Sequence, residues 1–236
     1  MRKNYGAQSH LGLYRLYDRH LAPLDPAWLE AQTILEVGIG ETNSSCYEFA
    51  ARGAVRCYAL EPFVPLDADT DRELLRLCAT HHNTGEAGIA DRVVRLKDSA
   101  AIPSGSVDLV LSNSVLEHVA DNDQLAAELQ RVLRPGGRML HVVDYRDHFF
   151  VFPYHFLLWS DAVWNRFLNP GDLPRWRIGD HIRAFTRAGL TVEVLKATPI
   201  PEEFEKVRAR IHPRFANYSE QDLTTAYGTL YVTKPA

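Results

Sequence analysis

Two glycines that follow a short strand-like segment are the first residues whose spacing could support chemistry. Thr33–Val37 has the pattern of a buried strand, Gly38 and Gly40 come next, and a helical pattern begins at Ser44. Glycine in such a turn lets a ligand approach the backbone, and the start of the helix offers unpaired N–H groups. The turn is therefore a candidate ligand site, although many strand-to-helix turns use glycine for steric reasons alone.

An acidic residue stands after the next predicted strand, Val55–Leu60. Glu61 follows the glycine turn by roughly 20 residues, the spacing at which dinucleotide-binding folds place the carboxylate that binds ribose hydroxyls. A solvated loop carboxylate is the alternative. NAD and S-adenosylmethionine share adenosine, so these features do not separate the two ligands. Asn43, however, stands where the nicotinamide pattern has its third glycine, which favours the methyl donor.

Four further motifs follow in a fixed order along the chain. They are KDSA at 97–100, IPSGSVDLVLSN at 102–113, VLEHV at 115–119 and LRPGG at 133–137. With ILEVGIG and ALEP, this set resembles the class I S-adenosylmethionine-dependent methyltransferases, in particular the branch shared with the ubiquinone-type O-methyltransferases. The matching segments cover about half of the chain. The resemblance implies an α/β, Rossmann-like three-layer sandwich, whose seven-stranded, mostly parallel sheet has an antiparallel last strand and binds S-adenosylmethionine across its C-terminal strand ends.

The resemblance also implies cofactor contacts, position by position. The implied cofactor-binding residues are Glu36, Gly38, Gly40, Thr42, Glu61, Pro62, Asp98, Ser99, Asn113 and Ser114. The first three would pack around the methionine and ribose portion, Glu61 would bind the ribose, and Asp98 would meet the adenine amino group. Asn113 and Ser114 would face the methionine part. Thr42 stands where the family usually has a third glycine, so its side chain either crowds the turn or donates a hydroxyl contact.

The residues for catalysis follow the fourth and fifth predicted strands. Methyl transfer is an in-line displacement, so the protein supplies positioning and electrostatics, and a base only where the nucleophile carries a proton of high pKa. His118 is a candidate base or substrate contact, and a histidine that satisfies a backbone carbonyl is the alternative. Asp144 and His148 complete the predicted catalytic set.

Other polar side chains are candidates for substrate binding. They are Tyr14, Arg146, Asp147, Arg175 and Arg177. The last two could meet a carboxylate or phosphate, although solvated arginines are the default. Asp144, Asp147 and His148 could hold a metal, but a polar rim or an Arg–Asp ion pair is favoured, and no metal is predicted.

The elements that must position these residues alternate along the chain, which predicts a sheet covered on both faces. The predicted strands are Thr33–Val37, Val55–Leu60, Val93–Leu96, Val107–Leu111, Arg138–Val143, Thr191–Ala197 and Thr225–Thr233. The predicted helices are 10–21, Ser44–Arg52, Asp71–His82, Asn122–Leu133, Asp180–Ala188 and Glu202–Ile211. Residues 145–178 are aromatic and weakly periodic. With an N-terminal helical segment, 1–30, they are predicted to cover the pocket.

Composition narrows the class of protein. The 236 residues are 46% hydrophobic, which predicts a single methyltransferase domain over 1–236. A net charge of −4 disfavours nucleic acid as a partner. No apolar run is long enough to span a bilayer, so no membrane partner is predicted. Three cysteines without CxxC spacing are typical of reduced thiols, which predicts a cytoplasmic protein.

The leading hypothesis is an enzyme that transfers a methyl group to O, N or C of a small-molecule metabolite. An RNA or protein methyltransferase is one alternative, and a non-catalytic cofactor-binding regulatory module is another. A nicotinamide-dependent oxidoreductase is a smaller alternative. The sequence specifies neither the substrate, nor the methylated atom, nor the oligomeric state.

Overall fold

The computed structural model describes residues 9–171 and 173–236, with side chains from residue 12 onward. Parts of two predictions lie outside the described residues, namely the first eight residues of the N-terminal segment and residue 172 of the aromatic segment. The predictions that these segments cover a pocket, and that the whole chain is one methyltransferase domain, stay predictions.

Seven strands and nine α-helices are found in the described part of the chain. The strands are β1 (Thr33–Val37), β2 (Arg56–Leu60), β3 (Val93–Leu96), β4 (Val107–Asn113), β5 (Leu133–Asp144), β6 (Thr191–Pro199) and β7 (Thr225–Thr233). The helices are α1 (Ser9–Leu21), α2 (Ser44–Ala51), α3 (Ala68–His81), α4 (Glu86–Ala90), α5 (Asn122–Val132), α6 (Asp161–Val163), α7 (Ile178–Arg187), α8 (Pro201–Arg208) and α9 (Glu220–Thr224).

The strands form one sheet in the order β3-β2-β1-β4-β5-β7-β6. β1 pairs in parallel with β2 and with β4, and β2 pairs in parallel with β3. β6 and β7 are antiparallel. The predicted Rossmann-like α/β fold is confirmed.

The predicted boundaries differ from the observed ones by up to five residues, and the largest difference is at the start of β5. α5 begins as expected, because Asp121 Oδ1 accepts a hydrogen bond from the Gln124 N–H at 2.9 Å. The helix ends at Val132, however, and the chain continues as β5 from Leu133. The proline and glycines at 135–137, which fall between the predicted helix and the predicted strand, therefore lie within the strand.

The chain divides into two compact units. The first runs to Ser112 and includes Arg131–Leu140 and Ala236, and the second comprises Asn113–Gln130 and His141–Pro235. In the first unit, buried Tyr17 of α1 and Trp28 both pack on Phe49 of α2, with ring centroids 6.1 and 6.2 Å apart. These contacts pack α1, which was predicted as a helix over 10–21, against α2.

The second unit contains an aromatic core. Its buried members are Tyr154, Phe156, Leu157, Trp164, Phe204, Val207, Phe215 and Ala226. The Tyr154 hydroxyl donates to Thr224 O at 2.5 Å and accepts from the Ile200 N–H at 2.9 Å. The aromatic segment 145–178 is thus folded onto residues 200–226. Within the described chain, no helix has both the length and the apolar content needed to cross a membrane.

Candidate active site

The ends of three parallel strands in the first unit are in register. Val37 at the end of β1 lies beside Leu60 of β2, and Leu60 lies beside Leu96 of β3. The segments that begin at Gly38, Glu61 and Lys97 therefore leave the same edge of the sheet. This is the edge at which open α/β sheets bind ligands.

The glycine turn after β1 has a left-handed backbone. Gly38 has a φ of 74° and Gly40 a φ of 78°, conformations that glycine adopts without steric cost. The Gly38 N–H donates to Leu60 O at 2.8 Å, which ties the turn to β2. A Cβ built on Gly40 would meet no atom within 4 Å. Glycine is therefore needed at position 40 for its backbone conformation, and the space beside it is open.

Glu61 holds the turn from the β2 side. One carboxylate oxygen accepts from the Gly40 N–H at 2.8 Å, and the other accepts from the Phe63 and Val64 N–H groups, both at 3.1 Å. The side chain is buried. An ionised carboxylate has about four acceptor positions, so one remains for a ligand hydroxyl.

The residues after Glu61 are exposed. Pro62 is exposed, and Phe63 leaves 90% of its surface open. A large apolar side chain at this exposure, beside the turn, is a surface on which a flat ring could stack.

Arg95 holds the same turn from β3. Its guanidinium donates to Gly40 O at 2.6 Å, to Val64 O at 3.1 Å and to Asn43 Oδ1 at 3.1 Å. The turn and the loop after Glu61 are thus joined by one side chain. The only signal in the sequence is a basic residue within an otherwise apolar strand.

A buried carboxylate secures the start of α2. Asp71 of α3 accepts from the Asn43 N–H at 2.6 Å, from Asn43 Nδ2 at 3.2 Å and from the Tyr47 hydroxyl at 2.6 Å. The Thr42 hydroxyl donates to Ser44 Oγ at 3.2 Å. The start of α2 is thus tied to α3 next to Thr42.

Glu36 faces the interior of the first unit. Its carboxylate accepts from the Tyr17 hydroxyl at 3.1 Å and from the Ser45 hydroxyl, with Cys46 Sγ at 3.9 Å. Burial raises the pKa of Glu36 to about 7, and these donors oppose the shift only in part. Glu36 therefore links α1, β1 and α2.

Asp98 and Ser99 follow β3. Asp98 is exposed, and one carboxylate oxygen accepts from the Ala100 N–H at 2.9 Å, which fixes its orientation. The carbonyl of Ser99 accepts from Arg131 at 2.9 Å. The side chain of Asp98 is therefore held in place and open to a donor such as an exocyclic amine.

In the second unit, Ser114 has an unusual backbone. Its φ is 54°, and its N–H donates to Val142 O at 2.8 Å. A non-glycine residue in this region costs about 1–3 kcal/mol, and such residues cluster at functional sites. Asn113, the last residue of β4, precedes it and is half-buried.

A carboxylate and two imidazoles come together after β4 and β5. Glu117, His118 and His148 each offer one ligand atom, and the three atoms lie within 4.8 Å of one another. The two rings have centroids 4.9 Å apart. Burial raises the pKa of Glu117 to about 8, whereas partial loss of solvent around the ring and the neighbouring His148 lower the pKa of His118. The imidazole of His118 is therefore neutral at physiological pH.

The acids after β5 have partners of their own. The Asp144 carboxylate accepts from Arg146 Nε at 2.9 Å and Nη2 at 2.6 Å, so the two residues form an ion pair. Asp147 is buried and accepts from the Phe149 and Phe150 N–H groups at 2.9 and 3.1 Å. Of the three residues considered as metal ligands in the sequence, only His148 belongs to the cluster described above. Its carboxylate comes from Glu117 and not from Asp144 or Asp147.

Comparison with known proteins agrees with this geometry. Residues 35–141 match the family model of a methyltransferase domain, and this stretch contains the glycine turn, Glu61 and Asp98. The match covers slightly less than half of the chain.

Among curated proteins, the arsenite methyltransferase of Aquipseudomonas alcaligenes is 29% identical over 133 residues, which are 52% of this chain and 35% of that protein. The matched stretches span about a third or less of the curated relatives' length.

Two solved structures share the fold. The Haemonchus contortus phosphoethanolamine N-methyltransferase 2 in complex with S-adenosyl-L-methionine has a TM-score of 0.55 at 16% identity, covering 100% of this chain and 59% of that one. An S-adenosylmethionine-dependent methyltransferase from Mesorhizobium loti has a TM-score of 0.54 at 18% identity, covering 98% and 99%.

Three of the residues predicted to bind substrate have partners within the protein instead. Arg175 and Arg177 are buried, with exposures of 6% and 0%. Arg175 donates to the carbonyls of Phe156 and Trp159 and pairs with Asp161, and Arg177 donates to those of Tyr145, Asp222, Leu223 and Thr225. Tyr14 bonds Asp18 at 3.1 Å and lies under the Arg52 guanidinium. We assign structural roles to these residues, because their polar groups are already occupied.

Proposed function

We propose that the chain transfers the methyl group of S-adenosylmethionine to O, N or C of a small-molecule metabolite. The observation that carries the proposal is the glycine turn, which Glu61 and Arg95 hold open at the ligand-binding edge of the sheet. The donor supplies an electrophilic methyl group on a sulfonium. The finer resemblance, to ubiquinone-type O-methyltransferases, and a cytoplasmic location are parts of this proposal.

The residues of the first unit fit the adenosine part of the cofactor. The open acceptor position of Glu61 suits a ribose hydroxyl, and the fixed carboxylate of Asp98 suits the adenine amino group. Phe63, exposed beside the turn, offers a stacking surface for the purine. Contacts of Asn113 and Ser114 with the methionine part stay predictions.

The residues of the second unit fit the demands of the acceptor. An oxygen or amine nucleophile must lose its proton to a base, or have its pKa lowered by a cation, before or during transfer. The neutral His118, with His148 and Glu117 beside it, is a group of side chains able to meet this demand. Asp144 is fixed by Arg146 and would act by orienting rather than by accepting a proton.

A small acceptor is favoured over a macromolecule for two reasons. The chain carries a net charge of −4, which opposes binding to RNA. The names of the arsenite and phosphoethanolamine methyltransferases also point to small acceptors for those proteins.

Calorimetry and labelled methyl transfer test the proposal. We expect S-adenosylhomocysteine to bind and NAD not to bind. With methyl-labelled S-adenosylmethionine, label should enter small molecules of a cell extract. If NAD bound and neither S-adenosylmethionine nor S-adenosylhomocysteine gave a binding heat, the proposed cofactor would be wrong. If the label entered only RNA or protein, the proposed substrate class would be wrong. If the cofactor bound but no label entered small molecules, RNA or protein, the alternative of a non-catalytic cofactor-binding regulatory module would be favoured.

A further inference from the structure

The cluster of Glu117, His118 and His148 has the composition of a metal site. Glu117 and His118 lie in the 3₁₀ turn after β4, and His148 lies in the loop after β5, so both segments belong to the second unit. Their ligand atoms lie within 4.8 Å of one another. Ligands of one transition-metal ion lie about 3–3.5 Å apart, because each bond is about 2.1 Å long. Both imidazoles are exposed and can rotate by the small amount required.

A buried oxygen in the cluster lacks a partner. Glu117 is 3% exposed, and its Oε1 accepts from the Asp144 N–H at 3.3 Å. Its Oε2 is buried without a hydrogen-bond partner among the residues that the structure describes. Buried carboxylates are normally paired, hydrogen-bonded or bound to a metal. A cation at the cluster would therefore satisfy an oxygen that the protein itself leaves unsatisfied.

The neighbouring charged groups do not compete for this oxygen. Arg146, the basic residue nearest in sequence to His148, pairs through two nitrogens with Asp144. Asp147 accepts hydrogen bonds from the backbone N–H groups of the two residues at 149 and 150. The carboxylate of Glu117 thus remains for the two imidazoles and for whatever binds between them.

We propose that Glu117, His118 and His148 bind a divalent first-row transition-metal ion. Two imidazoles with one carboxylate suit Mn²⁺ to Zn²⁺ better than Mg²⁺ or Ca²⁺, which prefer oxygen ligands. Three protein ligands leave coordination positions open for water or for an oxygen of another molecule. In this state the two imidazoles hold the cation and do not act as proton acceptors.

A second cluster in the chain provides the control. Glu48, Cys78 and His82 in the first unit also lie within 4.8 Å of one another. Here Glu48 already pairs with Arg52 at 2.6 Å and with His82 at 3.0 Å. A cation at that place would meet the guanidinium charge, so we expect no metal there.

Calorimetry of the untagged, chelator-treated protein tests the proposal with Zn²⁺ and Mn²⁺ as probes, and Mg²⁺ for comparison. We expect one equivalent of Zn²⁺ or Mn²⁺ to bind. His148→Ala, which removes an exposed side chain, and Glu117→Gln, which keeps the shape of the carboxyl group, should each weaken binding by at least about 10- to 100-fold, since loss of a ligand costs no less than loss of its supporting contacts. His82→Ala should bind like the wild type.

Absence of binding, unchanged binding in both cluster variants, or loss of binding in His82→Ala would each overturn the proposal. Pulsed electron paramagnetic resonance with Cu²⁺ gives an independent readout. Two imidazole nitrogens should couple to the ion in the wild type and one in His148→Ala. These measurements need neither cofactor nor acceptor, so their outcome is separate from that of the proposed methyl transfer.

Discussion

Arg95 donates from β3 to the carbonyl of Gly40, 2.6 Å away, while the N–H of the same glycine is bound by Glu61. The peptide groups on both sides of Gly40 are thus held by side chains of opposite charge. A turn held in this way is already in shape before a ligand arrives, which reduces the entropic cost of binding.

Replacement of Arg95 should loosen the turn. Arg95→Met removes charge-assisted hydrogen bonds to Gly40, Asn43 and Val64, so S-adenosylhomocysteine affinity should fall by about 10- to 100-fold. The matched control is Arg72→Met, since Arg72 is exposed on α3. Calorimetry measures both variants, and equal affinities with a native circular dichroism spectrum would count against a positioning role.

Replacement of Glu61 tests the predicted ribose contact. Glu61→Ala should weaken binding of S-adenosylhomocysteine by about 1–3 kcal/mol, the usual cost of losing hydrogen bonds to a charged group. Glu41→Ala is the control, because Glu41 is an exposed glutamate in the same turn. Wild-type affinity in a folded Glu61→Ala protein would place the ribose elsewhere.

Replacement of Phe63 tests the stacking surface. Because the ring is 90% exposed, Phe63→Ala should leave the free energy of unfolding unchanged. Loss of a base-stacking partner should weaken S-adenosylhomocysteine binding by about 1–3 kcal/mol. Phe167, 71% exposed in the second unit, provides the control as Phe167→Ala. Equal affinities in the two variants would contradict stacking on Phe63.

The pH dependence of stability should report on Glu36. Its pKa of about 7 in the folded protein lies above the ordinary 4.5, so between these values the folded state keeps a proton that the unfolded state has lost. The contribution of Glu36 to stability therefore decreases as pH rises through this window and levels off above it, by roughly 3 kcal/mol at most. Urea titrations from pH 5 to 8 should show a flatter profile for Glu36→Gln, and the wild-type profile for the exposed-residue control Glu30→Gln. Parallel profiles for the wild type and Glu36→Gln would show that Glu36 ionises normally.

Arg177 should matter for folding and not for substrate affinity. Arg177→Met removes the donor to four carbonyls, three of them buried, so the free energy of unfolding should fall by about 3 kcal/mol or more. Arg183→Met, at an exposed position on α7, should cost less than about 1 kcal/mol. Denaturant titration measures both. If the Arg177→Met protein were stable but bound its acceptor substrate more weakly, Arg177 would be a substrate contact, as the sequence analysis predicted.

The sequence predicted the strands well because each has a local signature. Thr33–Val37 and Val93–Leu96 are short segments that turn residues follow, and the glycine turn and Glu61 are recognisable from spacing alone. The start of β5 was missed because proline and glycine usually end structure, whereas here they lie inside an extended strand. The residue pattern of a segment predicted its conformation where that conformation depended on the segment's own residues.

Partners that depend on packing could not be predicted. An arginine in an aromatic segment resembles a surface residue, and nothing nearby in sequence shows that Arg177 meets carbonyls around position 223. Glu117 was overlooked in the same way, since its burial and its distance from His148 are set by the ends of two strands. By contrast, Asp144 and Arg146 are two residues apart, and their ion pair could be foreseen.

The Tyr154 hydroxyl, which binds Thr224 O and the Ile200 N–H, limits how this chain can be recombined with its relatives. Exchange of segment 145–178 alone would leave a carbonyl and an amide of the recipient without their shared partner. Chimaeras should therefore exchange this segment together with residues 200–226, as one inherited block. Sequence divergence in the aromatic segment is then constrained by a region that follows it by some 50 residues, and the two are expected to vary in concert.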